Sequence, residues 1–389
     1  MNFSTTQLTH SVNEHLNYDP RGAVLYLDRP VPKSQKQTKP MTCFEILDAY
    51  TESRTRIANS NLKNIQQNHK IITKVLRFFG FTNLNEIDRA GAECVGHALT
   101  YLPKNPEKHS ELKGLNGFEL IAKNQSLTQP NEYISPETKK SYIHKFSTFL
   151  NWAKSHHHVS ENVFYNLPTE KIHMEKKRFP FNDKQLIKVF TMEDYESHQY
   201  LHPYYYWIPL LLRYGAFRLN EACQMHVEDI TVIDGIDCFL VRKMFDGQRI
   251  KNNSSIRVVP IHDELLKKGF ISFVNSQKSG HLFPELPLVK GYYSNNASKW
   301  FARRRKKLGL GKGFDAHSFR HTFINELKQQ EYSKEMIECI VGHSHNSESF
   351  DTYSYQYDPK ILAPIVNMIG TSHTASVRPY NHKITPLNF

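Results

Sequence analysis

The chain has 389 residues, 39% of them hydrophobic and 12% aromatic, which excludes a disordered polyelectrolyte and predicts two folded domains. Lysine plus arginine outnumber aspartate plus glutamate by 50 to 38, a formal net charge of +12 that suits a polyanionic partner such as nucleic acid. Five scattered cysteines with no CxxC pair leave zinc ribbons and redox motifs unsupported and fit a reducing compartment.

Residues 1–40 read as a polar N-terminal extension, ending in the tether DRPVPKSQKQTKP, with no apolar signal region. From residue 41 to 165 the pattern is helical. CFEILDAYTESRTR begins after Thr42, a suitable N-cap, and NLKNIQQNHKIITKVLRFFG ends at Gly80, a natural C-cap. SPETKKSYIHKFSTFLNWAKSHHH opens with the Ser-Pro-Glu of a helix start. Consecutive residues on a helix diverge, so His156, His157 and His158 read as an exposed helix end and not as metal ligands. NLPTEKIHMEKKRFPF, within 166–181, is polar, basic and broken by two prolines, and is read as an interdomain linker.

A second domain is expected over 182–372, mainly helical with one small β-rich insert. DCFLVRKM and IRVVPI are its strand-like runs, separated by the turn signals Asp246-Gly247 and Asn252–Ser255. PKILAPIVNMIG, within this domain, is apolar at helical spacing and is expected to dock on a neighbouring protomer, with packing on its own domain as the alternative. Residues 373–389 read as a flexible tail. No run approaches the length of a membrane span, and the expected location is the cytoplasm, on the nucleoid.

Three segments could carry chemistry. YGAFRLNEACQMHVEDI follows an apolar helix and holds Arg218 beside a glycine turn, with Glu221 on a new helix. AHSFRHTFINEL places His317 and Arg320 three apart, on one helical face. CIVGHSHNSESFDTYSYQYD ends a helix, turns at Gly342, offers His343, and then alternates Tyr353, Tyr355 and Tyr357. His343 and His345 lack a carboxylate or cysteine at ligand spacing, so a metal reading has little support. As a strand, the three tyrosines would share a face. As a helix, Tyr353 and Tyr355 would point to opposite sides, while Tyr357 could share the face of Tyr353.

Taken in this order, the segments resemble the catalytic box of the tyrosine recombinase (phage integrase) family. GAFRLNE is similar to the family's first arginine segment, HSFRHTF to its histidine-x-x-arginine segment, and VGHSHNSESFDTYS to its glycine-histidine loop and nucleophile helix. IKNNSSIRVVPIH resembles the lysine-bearing hairpin. Lys243 and Lys251 both precede turns, and the spacing to Val259-Pro260 matches the family at Lys251. The resemblance implies a catalytic set of Arg218, Lys251, His317, Arg320, His343 and the nucleophile Tyr353. It also implies a mainly α fold, in which a helical core-binding domain precedes a catalytic domain that carries a small antiparallel sheet.

The function implied is site-specific recombination of double-stranded DNA by an integrase of a mobile element. Strands would be cut and rejoined through a 3′-phosphotyrosine intermediate, without metal, ATP or other cofactor. The partners implied are the recombination site, a homotetramer assembled on it, and an accessory DNA-bending or directionality protein, with no membrane. The alternatives are a type IB topoisomerase-like nicking-closing enzyme and a DNA-binding regulator that no longer cuts.

Overall fold

The computed structural model describes residues 41–56, 62–80, 83–168, 178–277, 280–343 and 357–381. The chain divides into two compact units, 1–173 and 174–389. Its described part is mainly helical with one three-stranded antiparallel sheet, the fold class read from the sequence.

In the first unit, α1 (Cys43–Thr55) begins where Thr42 predicts. Glu45 N–H donates to the Thr42 hydroxyl (3.3 Å) and Thr42 N–H donates to the Glu45 carboxylate (2.7 Å), so each residue satisfies an amide the helix leaves free. Cys43, Ile46, Leu47 and Tyr50 recur every three or four residues and form its buried face. Helix α2 (Leu62–Leu76) stops before Gly80, which takes a left-handed φ of +58° after a further turn. The longest helix among the described residues of the unit, α3 (Pro136–Ser155), starts from the Ser135 cap with proline at its first position. It buries Ile143, Phe146, Phe149 and Leu150 against α1 and α2.

The second unit is built around α4 (Pro203–Gly215), whose residues from Tyr204 to Gly215 are all buried. A helix apolar on every side must be enclosed. It packs on α5 (Ala316–Gln329). Beside it lies the sheet of β1 (Ile230–Ile233), β2 (Ile236–Val241) and β3 (Arg257–Pro260), in that order, with Ile230 opposite Phe239 and Phe239 opposite Val259. The sequence reading recognised two of these strands and not β1. The turn that creates it is Asp234-Gly235, with φ of +51° and +82°, the left-handed pair that a two-residue hairpin loop needs. The equivalent dipeptide Asp246-Gly247 lies twelve residues later, in the β2–β3 connection.

Two expectations for the C-terminal region are corrected. The apolar face of α6 (Pro359–Val366), expected to reach a neighbouring protomer, is buried within its own unit. Leu362, Ile365 and Val366 join the same core, and the helix lies on β2 and β3. Residues 373–381, expected to be a flexible tail, are packed. Arg213 Nε donates to His373 Nε2 (2.9 Å), the Tyr214 and Thr374 hydroxyls share a hydrogen bond (2.6 Å), and Lys268 Nζ donates to Val377 O (2.6 Å). The segment is polar in sequence because buried polar groups on α4 and at Lys268 need partners, not because it is solvated.

His373 is a case in point. Burial, then the charges of Arg213 and His262, push its ring down to about 3. The folded value lies below the unfolded one of about 6.5, so its contribution to stability is complete above pH ~6.5 and is lost as pH falls towards the folded value. The unfolding midpoint of the protein is expected to drop through this window. His373→Gln, which keeps an acceptor for Arg213 but does not titrate there, is expected to drop less steeply; parallel slopes would remove His373 as a cause.

Candidate active site

The active-site candidates of the second unit converge from four segments. The first is the turn after α4. A Cβ on Gly215 would lie 2.1 Å from the Phe217 ring, so glycine there lets Phe217 bury itself edge-on to Phe239 of β2 (centroids 4.9 Å apart). Ala216 takes φ +50°, and the chain then enters α7 (Leu219–Cys223) at Arg218. Arg218 N–H donates to Glu221 Oε2 (3.0 Å), and its Nη1 donates to Glu221 Oε1 (2.6 Å) and to Ser255 Oγ (3.1 Å). Nη2 donates to Gly342 O (3.0 Å). A fifth of the Arg218 side chain remains exposed, at 20%.

The second segment is the long β2–β3 connection. Lys251 is exposed there, immediately before Asn252, which accepts a hydrogen bond from Ser255 Oγ (2.6 Å). The third is α5, capped by Asp315, whose carboxylate accepts from His317 N–H (2.8 Å). Burial, then the charges of His321, Arg320 and Arg178, lower His317 to about 4. Arg320, one turn on, is fully buried. Its Nη1 donates to Ala216 O (2.8 Å), its Nη2 donates to Val341 O, and its Nε has no partner among the described residues. Arg320 is thus enclosed by the turn after α4 and the end of α8, with the charge of Arg218 acting on it.

The fourth segment is the end of α8 (Lys334–Val341), where Gly342 takes φ +67° and its N–H and that of His343 both donate to Glu338 O (2.8 and 3.0 Å). Loss of hydration, then the charges of Arg320, Arg218, Lys251 and Arg257, lower His343 to about 4. The structure therefore brings Arg218, Lys251, Arg320 and His343 into one electrostatic neighbourhood, with His317 beside Arg320. Tyr353 and Tyr355 lie outside the described residues. Tyr357 is half-buried against the core.

The sequence reading assigned no role to Arg257, Glu221 or Ser255. Arg257 is buried, with Nε donating to Ile340 O (2.7 Å), Nη1 to Ser255 O (3.0 Å) and Nη2 to Glu221 Oε2 (2.9 Å). The available signal was a charge at an inward position of the otherwise apolar run IRVVPI. Burial works to raise the Glu221 carboxyl, but the charge and hydrogen bond of Arg257, with Arg218 behind them, hold it below its usual range.

The balance of charge decides what such a site can do. Arg218 and Arg257 bond the Glu221 carboxylate and Arg320 lies in its field, while Lys251 adds its charge at His343. Burial, then the charges of Arg257 and Arg218, push Arg320 down to about 9, with Glu221 opposing. A buried guanidinium without enough counter-charge is unfavourable until an anion arrives, so the arrangement is suited to an oxyanion. Among the described residues no group of three or more His, Cys, Asp or Glu side chains is placed to hold a metal, and no helix is long and apolar enough to cross a membrane.

The chain is similar to known proteins in sequence and in fold. The model of the phage integrase family matches residues 182–358. The "Probable integrase/recombinase" of Aquifex aeolicus is 23% identical over 320 residues, covering 74% of this chain and 98% of the relative. A tyrosine recombinase of Pseudothermotoga lettingae is 20% identical over 266 residues, covering 67% and 85%. Among solved structures, the Tn1549 transposon integrase in complex with circular intermediate DNA superposes with a TM-score of 0.54 at 17% identity, covering 84% of this chain and 99% of that one. A lambda integrase dimer bound to a core site gives 0.53 at 14% identity, covering 82% and 98%. With the family model, these relatives and the shared fold in agreement, the 182–358 region of this chain belongs to the phage integrase family, the tyrosine recombinases.

Proposed function

We propose that the protein is a site-specific DNA recombinase that integrates or excises a mobile element. The observation that carries this reading is the excess of guanidinium and ammonium groups around one carboxylate, which leaves room for one phosphodiester charge. The Tyr353 phenolate oxygen attacks the scissile phosphorus, the P–O5′ bond breaks, and a 3′-phosphotyrosine forms. Bond energy is conserved in that ester, so rejoining is the reverse reaction with a different 5′ hydroxyl and needs no ATP.

Charge gathers on the equatorial oxygens in the transition state. Arg218, partly exposed, offers its guanidinium directly, and Arg320 adds its charge from a buried position. Between them they supply the charge stabilisation that a metal gives other phosphoryl-transfer sites. His343 donates a hydrogen bond to the same phosphate. His317 is neutral near pH 7, free to accept the phenolic proton, and an arriving phosphate anion raises its proton affinity. Lys251 protonates the departing 5′ oxygen. Exchange between two duplexes needs four active protomers, hence a tetramer on DNA, with an accessory bending or directionality protein as a further partner.

The test begins with sequencing the DNA junctions that flank the gene, which yields a candidate site. A duplex of that sequence is nicked beside the cleavage position, so the short 5′ fragment diffuses away and the adduct is trapped. The expected result is a protein–DNA adduct through a 3′ phosphate, formed in EDTA and without ATP. No adduct on such DNA would leave a non-cutting regulator. An adduct with relaxation of supercoiled plasmid but no exchange between paired sites would identify a nicking-closing enzyme.

A further inference from the structure

We infer that Arg257 is a positioning residue for strand cleavage: it holds Arg218 and the Gly342–His343 turn in register without touching DNA itself. This rests on the reading of the site as a phosphodiester-cleaving centre.

Arg257 ties distant parts of the chain together. Its three hydrogen bonds go to three separate segments: Glu221 on α7, Ser255 in the loop that carries Lys251, and Ile340 at the end of α8. Arg218 meets the same three segments, through Glu221 Oε1 and Oε2, Ser255 Oγ and Gly342 O. The two guanidiniums therefore grip one scaffold from opposite ends. Arg218 keeps a fifth of its side chain exposed, whereas Arg257 keeps 1%, so only Arg218 presents nitrogen to a ligand.

The fit around Gly342 is close. A Cβ there would lie 2.9 Å from Arg257 Nη1 and 3.0 Å from its Cδ, so the backbone of the turn rests directly on the Arg257 side chain. Phe217 closes the other side, with the Arg257 guanidinium carbon 5.8 Å from its ring centroid. A planar fork with fixed donor directions can span three acceptors at once. A lysine ammonium on a flexible stem would reach Glu221 or Ile340 O but could not set both. Loss of the fork frees Glu221 to follow Arg218 and lets the turn bearing His343 drift from the phosphate position. Misplacement of reacting groups by about 1 Å costs on the order of 100-fold in rate.

The experiment compares wild type, Arg257→Met and Arg257→Lys on the nicked duplex at saturating DNA, under single-turnover conditions. DNA affinity and thermal unfolding are measured on the same samples. The expected result is a cleavage rate about 10- to 100-fold lower in Arg257→Met, a smaller loss in Arg257→Lys, and DNA affinity within about twofold of wild type in both. A purely structural residue would lower the folded fraction and the affinity, leaving the rate per bound complex unchanged. If Arg257→Met does not fold, Arg257→Lys alone decides, by the rate per bound complex. The inference is overturned if wild type cleaves and the folded variants cleave at the same rate, or lose rate only in step with affinity. A wild type that forms no adduct overturns the reading of the site itself, and this inference with it.

Discussion

Tyr353→Phe is expected to abolish the covalent protein–DNA adduct completely while leaving affinity for the site within about twofold. The substitution removes one oxygen, the nucleophile, and nothing that attracts DNA. Affinity comes from lysine and arginine contacts to phosphates, which are untouched, so its steep decline with salt should also be unchanged. The assignment among three tyrosines rests on spacing from Gly342-His343, and the flanks of the segment narrow it further. Tyr357 is half-buried against the core, and its backbone hydrogen-bonds Cys339 on α8. A side chain held in that way is poorly placed to approach phosphorus. Tyr355→Phe and Tyr357→Phe are therefore expected to form adduct. Loss of adduct in Tyr355→Phe with adduct retained in Tyr353→Phe would move the nucleophile by two residues.

What the sequence disclosed and what it hid follow from how local each interaction is. Thr42, Ser135 and Gly342 act within one turn of the chain, so the helix ends they define were readable. Arg218, His317, Arg320 and His343 were singled out because each sits in a short segment with its own spacing; in the structure the charges of Arg218 and Arg320 act on His343, and that of Arg320 on His317. Arg257 was not, since its partners lie at positions 221, 255 and 340 and no local pattern announces them. The packing of 373–381 was hidden for the same reason: a polar stretch looks solvated unless the buried donors on Arg213, Tyr214 and Lys268 are known. Long-range satisfaction of polar groups is the part of the fold that sequence spacing records least.

The same principle sets the largest expected effect on stability, which falls on a residue that takes no part in the chemistry. Glu221→Ala is expected to destabilise the protein by about 3–5 kcal/mol, read as a shift of its denaturant midpoint. Glu221 has only 4% of its side chain exposed and accepts from Arg218 N–H, Arg218 Nη1 and Arg257 Nη2. Removing it strands Arg257 as a buried cation and leaves Arg320 with no opposing charge among the described residues. Its carboxyl is held below the usual range, so the folded value lies below the unfolded one. The stabilisation is then complete at neutral pH and is lost only as pH falls through the folded value. Glu221→Gln keeps the shape and one acceptor but not the charge, and is expected to fall between wild type and Glu221→Ala. Because the missing element is an anion, DNA carrying the recombination site should restore more stability to Glu221→Ala than to wild type. Equal stabilisation of the two by DNA would mean that the phosphate does not enter the field of these three arginines. A midpoint in Glu221→Ala close to that of wild type would mean that the arginines do not depend on this carboxylate. Either result would remove the electrostatic basis on which the cleavage mechanism rests.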